Sequence, residues 1–348
     1  MILGLDVGGA NTKTASSDGL FTKIEYLPLW KEAPLEPFLR RISAEARPEA
    51  LAVVMTGELA DSFPDKRAGI LFIKEAAERS FTCPVSFWGV DGFLWRDLSD
   101  LAAANWSASA ALVSEEIGDC IFVDMGSTTT DLIPIKGGAK AAKTDFERLA
   151  RGELIYSGLL RTNIAALLGH VDMGGRRIPL SSELFAVAAD AHLVGGRICE
   201  DDYAVEPPDG DRRDRTSALR RLARTVCADL GEIGPDAAAE IGRQAAARQL
   251  SLLAEGIRRL SEEYDLSIVA ACGIGEGLIE EAARSLGIEC LRLSKRYGSR
   301  VSDVFPAYAV ARLLEMEARG FLRALKNVQK NGGLSPSPQP RGQGRGRR

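Results

Sequence analysis

The chain has 348 residues, 45% of them hydrophobic and 26% charged, enough to bury two cores without disulfide or metal staples. Its formal charge of −4 sums two unlike pieces: residues 323–348 carry seven Lys and Arg and no acid, which leaves −11 on the rest. No apolar run reaches the roughly 18 residues of a membrane span, the start Met1-Ile2-Leu3-Gly4-Leu5-Asp6 is no secretory leader, and six scattered cysteines form no C-x-x-C pair, so a cytoplasmic protein with reduced thiols and no membrane contact is expected.

In chain order, residues 2–7 form an apolar strand that ends on Gly8-Gly9. Residues 12–17 follow as a second strand and stop at Asp18-Gly19, a hairpin signal. Residues 21–30 read as a third strand. Helical spacing marks 34–47 and 65–81, with strands at 51–55 and 85–90 and an Ala-rich helix over 98–112. The opening design then recurs with an offset of 118: Asp6 falls on Asp124, Gly8 on Gly126, Thr12 on Thr130 and Gly19 on Gly137. A pattern that occurs twice is a domain duplication rather than a solenoid. The second half adds Gly174-Gly175, Gly195-Gly196 and a polar stretch at 206–215. Helices are expected at 217–230, 235–264, 278–286 and 304–318, and strands at 267–272 and 290–293. Beyond Asn331 the composition of Gly, Pro, Ser, Gln and Arg reads as a disordered basic tail. Such a tail is most simply a solvated extension, and no nucleic-acid partner is expected from it.

Three motifs carry chemistry. In Asp6-Val7-Gly8-Gly9-Ala10-Asn11-Thr12-Lys13, an acid at a strand end precedes a Gly turn whose amides can approach phosphoryl oxygens, while the carboxylate orients a hydrated cation. A plain hairpin with a solvated Asp is the competing reading. In Asp124-Met125-Gly126-Ser127-Thr128-Thr129-Thr130-Asp131 the same design gains hydroxyl donors, although Thr also suits a strand. Two such cradles can clamp a diphosphate or triphosphate. The third, Ala271-Cys272-Gly273-Ile274-Gly275-Glu276-Gly277, is a strand–turn–helix start of the kind that receives anions, or simply a close strand–helix contact. Cys272 itself reads as core, and His170 and His192 as structural.

These motifs, in this order, resemble the actin-like ATPase superfamily of actins, sugar kinases and heat-shock ATPases. The wording is closer to its hydantoinase A/oxoprolinase-like branch, and from Met1 to about Leu325 it resembles the methanofuran-biosynthesis members of that branch. LGLDVGGANTK (3–13), VDMGSTTTDLI (123–133) and VAACGIGEGL (269–278) carry the superfamily resemblance; MTGELAD (55–61) and RGELIYSGLLRT (151–162) carry the specific one. The resemblance implies two ribonuclease-H-like α/β domains around a cleft. The first spans 1–117, with a helix near 304–322 packing back on it. The second spans 118–325 with an insertion at about 140–215, and the tail covers 326–348.

The resemblance further implies an enzyme that joins the phenol of γ-glutamyltyramine to an aminomethylfuran bearing a methyl diphosphate, releasing pyrophosphate. Under it, Asp6 and Asp124 position Mg²⁺. Gly8, Gly9, Asn11 and Thr12 hold the diphosphate with Gly126, Ser127, Thr128, Thr129 and Thr130, and Gly273, Gly275 and Gly277 complete the anion site. Lys13 neutralises charge, Glu58 takes the phenol proton, and Asp131 meets the substrate's aminomethyl cation. Arg151, Glu153 and Tyr156 line the tyramine side. ATP or ADP binding is allowed but not required, and a homo-oligomer is compatible. A kinase of the same fold, an ATP-driven hydrolase of cyclic amides and a nucleotide-sensing regulator remain open alternatives.

Overall fold

The structure, a computed structural model, describes residues 1–31 and 34–331. The first sheet has the order β3-β2-β1-β4-β5, from β1 (Ile2–Val7), β2 (Asn11–Ser16), β3 (Thr22–Tyr26), β4 (Ala50–Met55) and β5 (Val85–Phe87). β1, β2 and β3 form an antiparallel meander, and β4 and β5 continue the other edge in parallel. The second sheet is built from β6 (Cys120–Met125), β7 (Thr130–Ile135) and β8 (Leu154–Ile155), then, after a separate hairpin of β9 (His170–Met173) and β10 (Arg176–Pro179), β11 (Ile268–Cys272) and β12 (Glu289–Arg292). Its order, β12-β11-β6-β7-β8, becomes that of the first sheet when β6 is laid on β1, with antiparallel and parallel edges matching. Each half is therefore a ribonuclease-H-like α/β unit, and the duplication in the sequence is a duplication in space.

Alternation along the strands explains how the units meet. Leu3, Leu5, Val7, Leu51, Val53 and Met55 face an outer core completed by the helices Leu35–Ala46 and Lys66–Ser80. Ala52 and Val54 face a central core with Phe122, Ile133, Ala270 and Cys272 from the second sheet. Strands buried on both faces read as continuous apolar runs, as these do. Two helices, Asn105–Glu116 and Phe305–Asn331, lie in that central layer. Gly4 admits the second of them: a Cβ there would sit 1.8 Å from the Ala307 carbonyl oxygen. On the far side, Ile121, Val123 and Met125 face the core of the second half with the long helix Leu230–Tyr264.

The expected helix over 98–112 is instead two elements. Asp97 caps a short 3₁₀ turn, Leu98–Leu101, and buried Ala103 adopts φ 48° before the helix proper begins at Asn105. The C-terminal helix runs to Asn331, past residue 326 where the tail is expected to start; residues 332–348 lie outside the described residues. No helix among the described residues is long and apolar enough to cross a membrane.

Candidate active site

The two acid–glycine turns are the same structure built twice. Asp6 pairs across its hairpin with Lys13, and Asp124 with Asp131. The Gly8 amide donates to the Asn11 carbonyl at 3.0 Å, and the Gly126 amide to the Thr129 carbonyl at 3.0 Å. Strand alternation puts Asp6 on the face of Gly4 and Asp124 on the face of Phe122. Both acids therefore point into the central layer, one from each sheet, at the ends of β1 and β6.

Their electrostatics fit one shared site. Burial pushes the Asp6 carboxyl up to about 6, opposed by Lys13 and the side chain of Asn105. Burial pushes Asp124 up to about 7, again opposed by Lys13, with Asp131, Asp6 and Glu276 adding to the rise. Lys13 thus serves both acids. It also lowers Asp303, which burial raises; Asp303 ends the short helix Ser299–Asp303. One Asp6 oxygen, Oδ1, is buried without a hydrogen-bond partner, as are the hydroxyls of Thr12 and Thr14. A cradle of one buried and one half-buried carboxylate, both under-compensated, suits a hydrated cation shared with an anionic ligand. Among the described residues no group of three or more His, Cys, Asp or Glu side chains stands together in a way that could hold a metal ion.

A stability prediction follows from the signs. Both carboxyls have folded pKa values above their ordinary ones, so their contribution to stability is present at low pH and is lost as pH rises through about 6 and 7. The ligand-free protein is expected to melt several degrees lower at about pH 8 than at about pH 5.5. A double variant, Asp6→Asn with Asp124→Asn, is expected to shrink that difference, with Glu58, also held at about 7, supplying what remains. Thermal melts across pH check this, and an unchanged slope in the double variant counts against it.

The two family-specific segments brace the two turns. From MTGELAD, the amides of Thr56 and Gly57 both donate to the Val7 carbonyl at 2.9 Å. Gly57 lies so close that a Cβ would come within 2.6 Å of Leu29 Cδ1 and 3.0 Å of the Gly8 backbone. From RGELIYSGLLRT, the Leu159 amide donates to the Gly126 carbonyl at 2.9 Å, and the amides of Leu160 and Arg161 donate to the Ser127 carbonyl at 3.1 and 2.8 Å. The Thr130 hydroxyl donates to the Ser157 carbonyl at 2.7 Å. Because a peptide is planar and trans, tying the Gly126 and Ser127 carbonyls to this strap turns the Ser127 and Thr128 N–H groups the opposite way. The third glycine segment closes against the same turn: the Gly275 amide donates to the Met125 carbonyl at 3.1 Å, and a Cβ on Gly273 (φ 83°) would lie 2.5 Å from an Asp124 oxygen. Gly277 meets nothing within 4 Å.

Glu58 is buried, with Oε2 unpartnered. Burial raises it to about 7, with Asp145 adding and Lys66 and the Ala103 backbone opposing. Ala103 is the residue held at positive φ, a strain of the kind that gathers at functional sites. Asp131 is ion-paired with Arg148, which also pairs with Asp145 at 2.6 Å and lies over the Trp106 ring at 4.8 Å. The Asp131 carboxylate is therefore already paired with a buried guanidinium. Glu153 is turned inward, accepting from the Ala142 amide at 2.7 Å, whereas Arg151 and Tyr156 are exposed. His170 is exposed on β9 and His192 is buried. Asn105, Arg148 and Asp303 were not legible in the sequence. Arg148 sits in a short helix whose apolar residues Phe146 and Leu149 are exposed, and Asn105 falls inside the stretch that reads as one helix over 98–112.

The Hydantoinase/oxoprolinase family model matches residues 49–317. A (4-{4-[2-(γ-L-glutamylamino)ethyl]phenoxymethyl}furan-2-yl)methanamine synthase from Methanocaldococcus jannaschii is 39% identical over 328 residues, covering 91% of this chain and 98% of that protein. The chain belongs to this synthase family. A protein of the same name from Methanococcus vannielii is 37% identical over 214 residues, 60% of this chain and 96% of that one. Among solved structures, a ROK family glucokinase from Streptomyces griseus in complex with glucose and AMPPNP aligns with 90% of this chain and 98% of its own at 14% identity and a TM-score of 0.48. As a member of the synthase family, the protein is an enzyme.

Proposed function

We propose that this enzyme forms the aryl ether of the methanofuran precursor by joining γ-glutamyltyramine to 5-(aminomethyl)-3-furanmethanol diphosphate, with loss of pyrophosphate. The supporting observation is the pair of braced acid–glycine turns facing one another in a chain whose relatives bear that synthase name. The two turns at Gly8 to Thr12 and Gly126 to Thr130 hold the diphosphate, the second through the Ser127 and Thr128 amides; the Gly8 and Gly126 amides and the Thr130 hydroxyl are spent closing and bracing the turns, and Gly273 and Gly275 keep the second turn in place. Asp6 and Asp124 would hold Mg²⁺, which when bound offsets the charge of the departing pyrophosphate. Lys13 neutralises part of what remains.

The chemistry is a displacement at a furfuryl carbon. The carbon–oxygen bond to diphosphate breaks with its electron pair leaving on pyrophosphate, and the furan ring stabilises the positive charge that develops. The phenol oxygen forms the new bond and its proton passes to Glu58, whose raised pKa suits a base working near neutrality. Preorganised amides around the leaving group are expected to contribute most to the rate, since they act where charge develops. Asp131 and Asp145 share one Arg148 between them, leaving surplus negative charge for the aminomethyl ammonium. Arg151 and Tyr156, exposed on the segment leading into the strap, are assigned to the tyramine end.

The test is direct. Purified protein, γ-glutamyltyramine, the furan diphosphate and Mg²⁺, without ATP, are expected to give the ether and one equivalent of pyrophosphate. Strict dependence on ATP with ADP formation would replace this reading with the kinase or hydrolase alternatives.

A further inference from the structure

The strap over the second turn is itself fastened by a buried polar chain that reaches across the second half of the molecule. Gln249, on the long helix Leu230–Tyr264, is 2% exposed. Its Nε2 donates to Ser157 Oγ at 2.8 Å and to the Gly158 carbonyl at 2.9 Å. Its Oε1 faces His192 Nε2 at 2.8 Å. Because the amide nitrogen is committed to two acceptors, its oxygen must accept, and His192 carries its proton on Nε2. His192 is fully buried and burial pushes its pKa down to about 4, so it donates as a neutral ring. Thr162 closes the strap on itself: its hydroxyl accepts from the Gly158 amide at 2.9 Å and donates to the Gly158 carbonyl at 3.0 Å.

The strap touches the phosphate-type turn with no slack. A Cβ on Gly158 would lie 2.4 Å from the Thr128 nitrogen and 2.5 Å from the Ser127 carbonyl carbon. The strap's amides hold the carbonyls of Gly126 and Ser127, and Thr130 is bound to Ser157. The strap is tied at its other side to the start of the helix Ala188–Val194, which carries His192, through the amides of Ala188 and Ala189. A buried side-chain amide that spends both its donors on one backbone segment is costly to desolvate and rigid once satisfied.

We infer that Gln249, oriented by His192, is a positioning residue for the second turn: through Ser157 and Gly158 it fixes the direction of the Ser127 and Thr128 amides toward a diphosphate. This rests on the diphosphate reading of that turn. Neither residue touches substrate; both lie behind the strap.

Inorganic pyrophosphate with Mg²⁺ is the probe, measured by calorimetry on the full chain below its melting temperature, alongside steady-state kinetics. Gln249→Met keeps the volume and removes every hydrogen bond. It is expected to weaken pyrophosphate binding about ten- to a hundredfold and to raise KM for the furan diphosphate by a like factor, while KM for γ-glutamyltyramine stays unchanged. Ser157→Ala removes one link and leaves Gln249 in place, so it reports even where Gln249→Met fails to fold; a rise of about three- to tenfold is expected. Arg243→Ala, at an exposed site on the same helix, is expected to leave both constants alone. Pyrophosphate binding unchanged in Gln249→Met and Ser157→Ala overturns the positioning role, as does an equal change in both KM values. Wild-type protein that binds no pyrophosphate overturns the diphosphate reading and this role together.

Discussion

Asp124→Asn is expected to cut turnover by about a thousandfold or more while leaving the melting temperature at about pH 8 unchanged or raised. The two halves of that expectation share one cause. Asp124 is a half-buried carboxyl that loss of solvent pushes up to about 7, with Asp131, Asp6 and Glu276 adding and Lys13 opposing. Ionised and without a ligand it is a cost to the fold, and an amide of the same shape removes that cost. The same under-compensated charge is what a cation and a diphosphate would use. A variant that keeps turnover removes Asp124 from the site. One that loses turnover and stability in step assigns Asp124 to folding instead. Asp6→Asn is expected to behave alike, because Asp6 occupies the equivalent place in the first turn and carries the buried, partnerless oxygen.

Glu58→Gln is expected to lower kcat by about two to four orders of magnitude and to abolish the acidic limb of the pH–rate profile. Glu58 acts as a base only when ionised. Its carboxyl sits at about 7, so kcat/KM for the phenol substrate should climb through that pH and level off above it. At saturating Mg²⁺ Asp6 and Asp124 are held ionised, which assigns the remaining limb to Glu58. Glu58→Asp, which keeps a carboxyl, should retain a limb at reduced rate. A Glu58→Gln enzyme with the wild-type limb would place the base elsewhere.

Both predictions concern residues visible in the sequence, and the reason is locality. Asp6 and Lys13 face each other across one hairpin, as do Asp124 and Asp131. A hairpin's register is fixed by its own turn, so the offset of 118 between the halves was enough to place both acids at equivalent strand ends. Buried strands and amphipathic helices were legible for the same reason. The break at Ala103 was not: the Ala-rich stretch reads as one helix, and only the capped turn at Asp97 and the positive φ at Ala103 divide it.

The partners of the site residues were decided in three dimensions. Asp131 reads as a free strand carboxylate until the helix Asp145–Arg151 brings Arg148 onto it. Asp303 joins Lys13 only because the chain returns to the central layer near its C-terminal end. MTGELAD and RGELIYSGLLRT stand out in the sequence without a local purpose, since each braces a turn far from it along the chain.

The sequence by itself determined the duplicated scaffold, the two acid–glycine turns and the family, because each is written in short-range pattern. Tertiary structure alone decided which carboxylates share Lys13, which one Arg148 takes, and how Gln249 and His192 reach the second turn. Those relations depend on burial and on long-range packing, and burial sets both the cost of a buried charge and the demand for a partner.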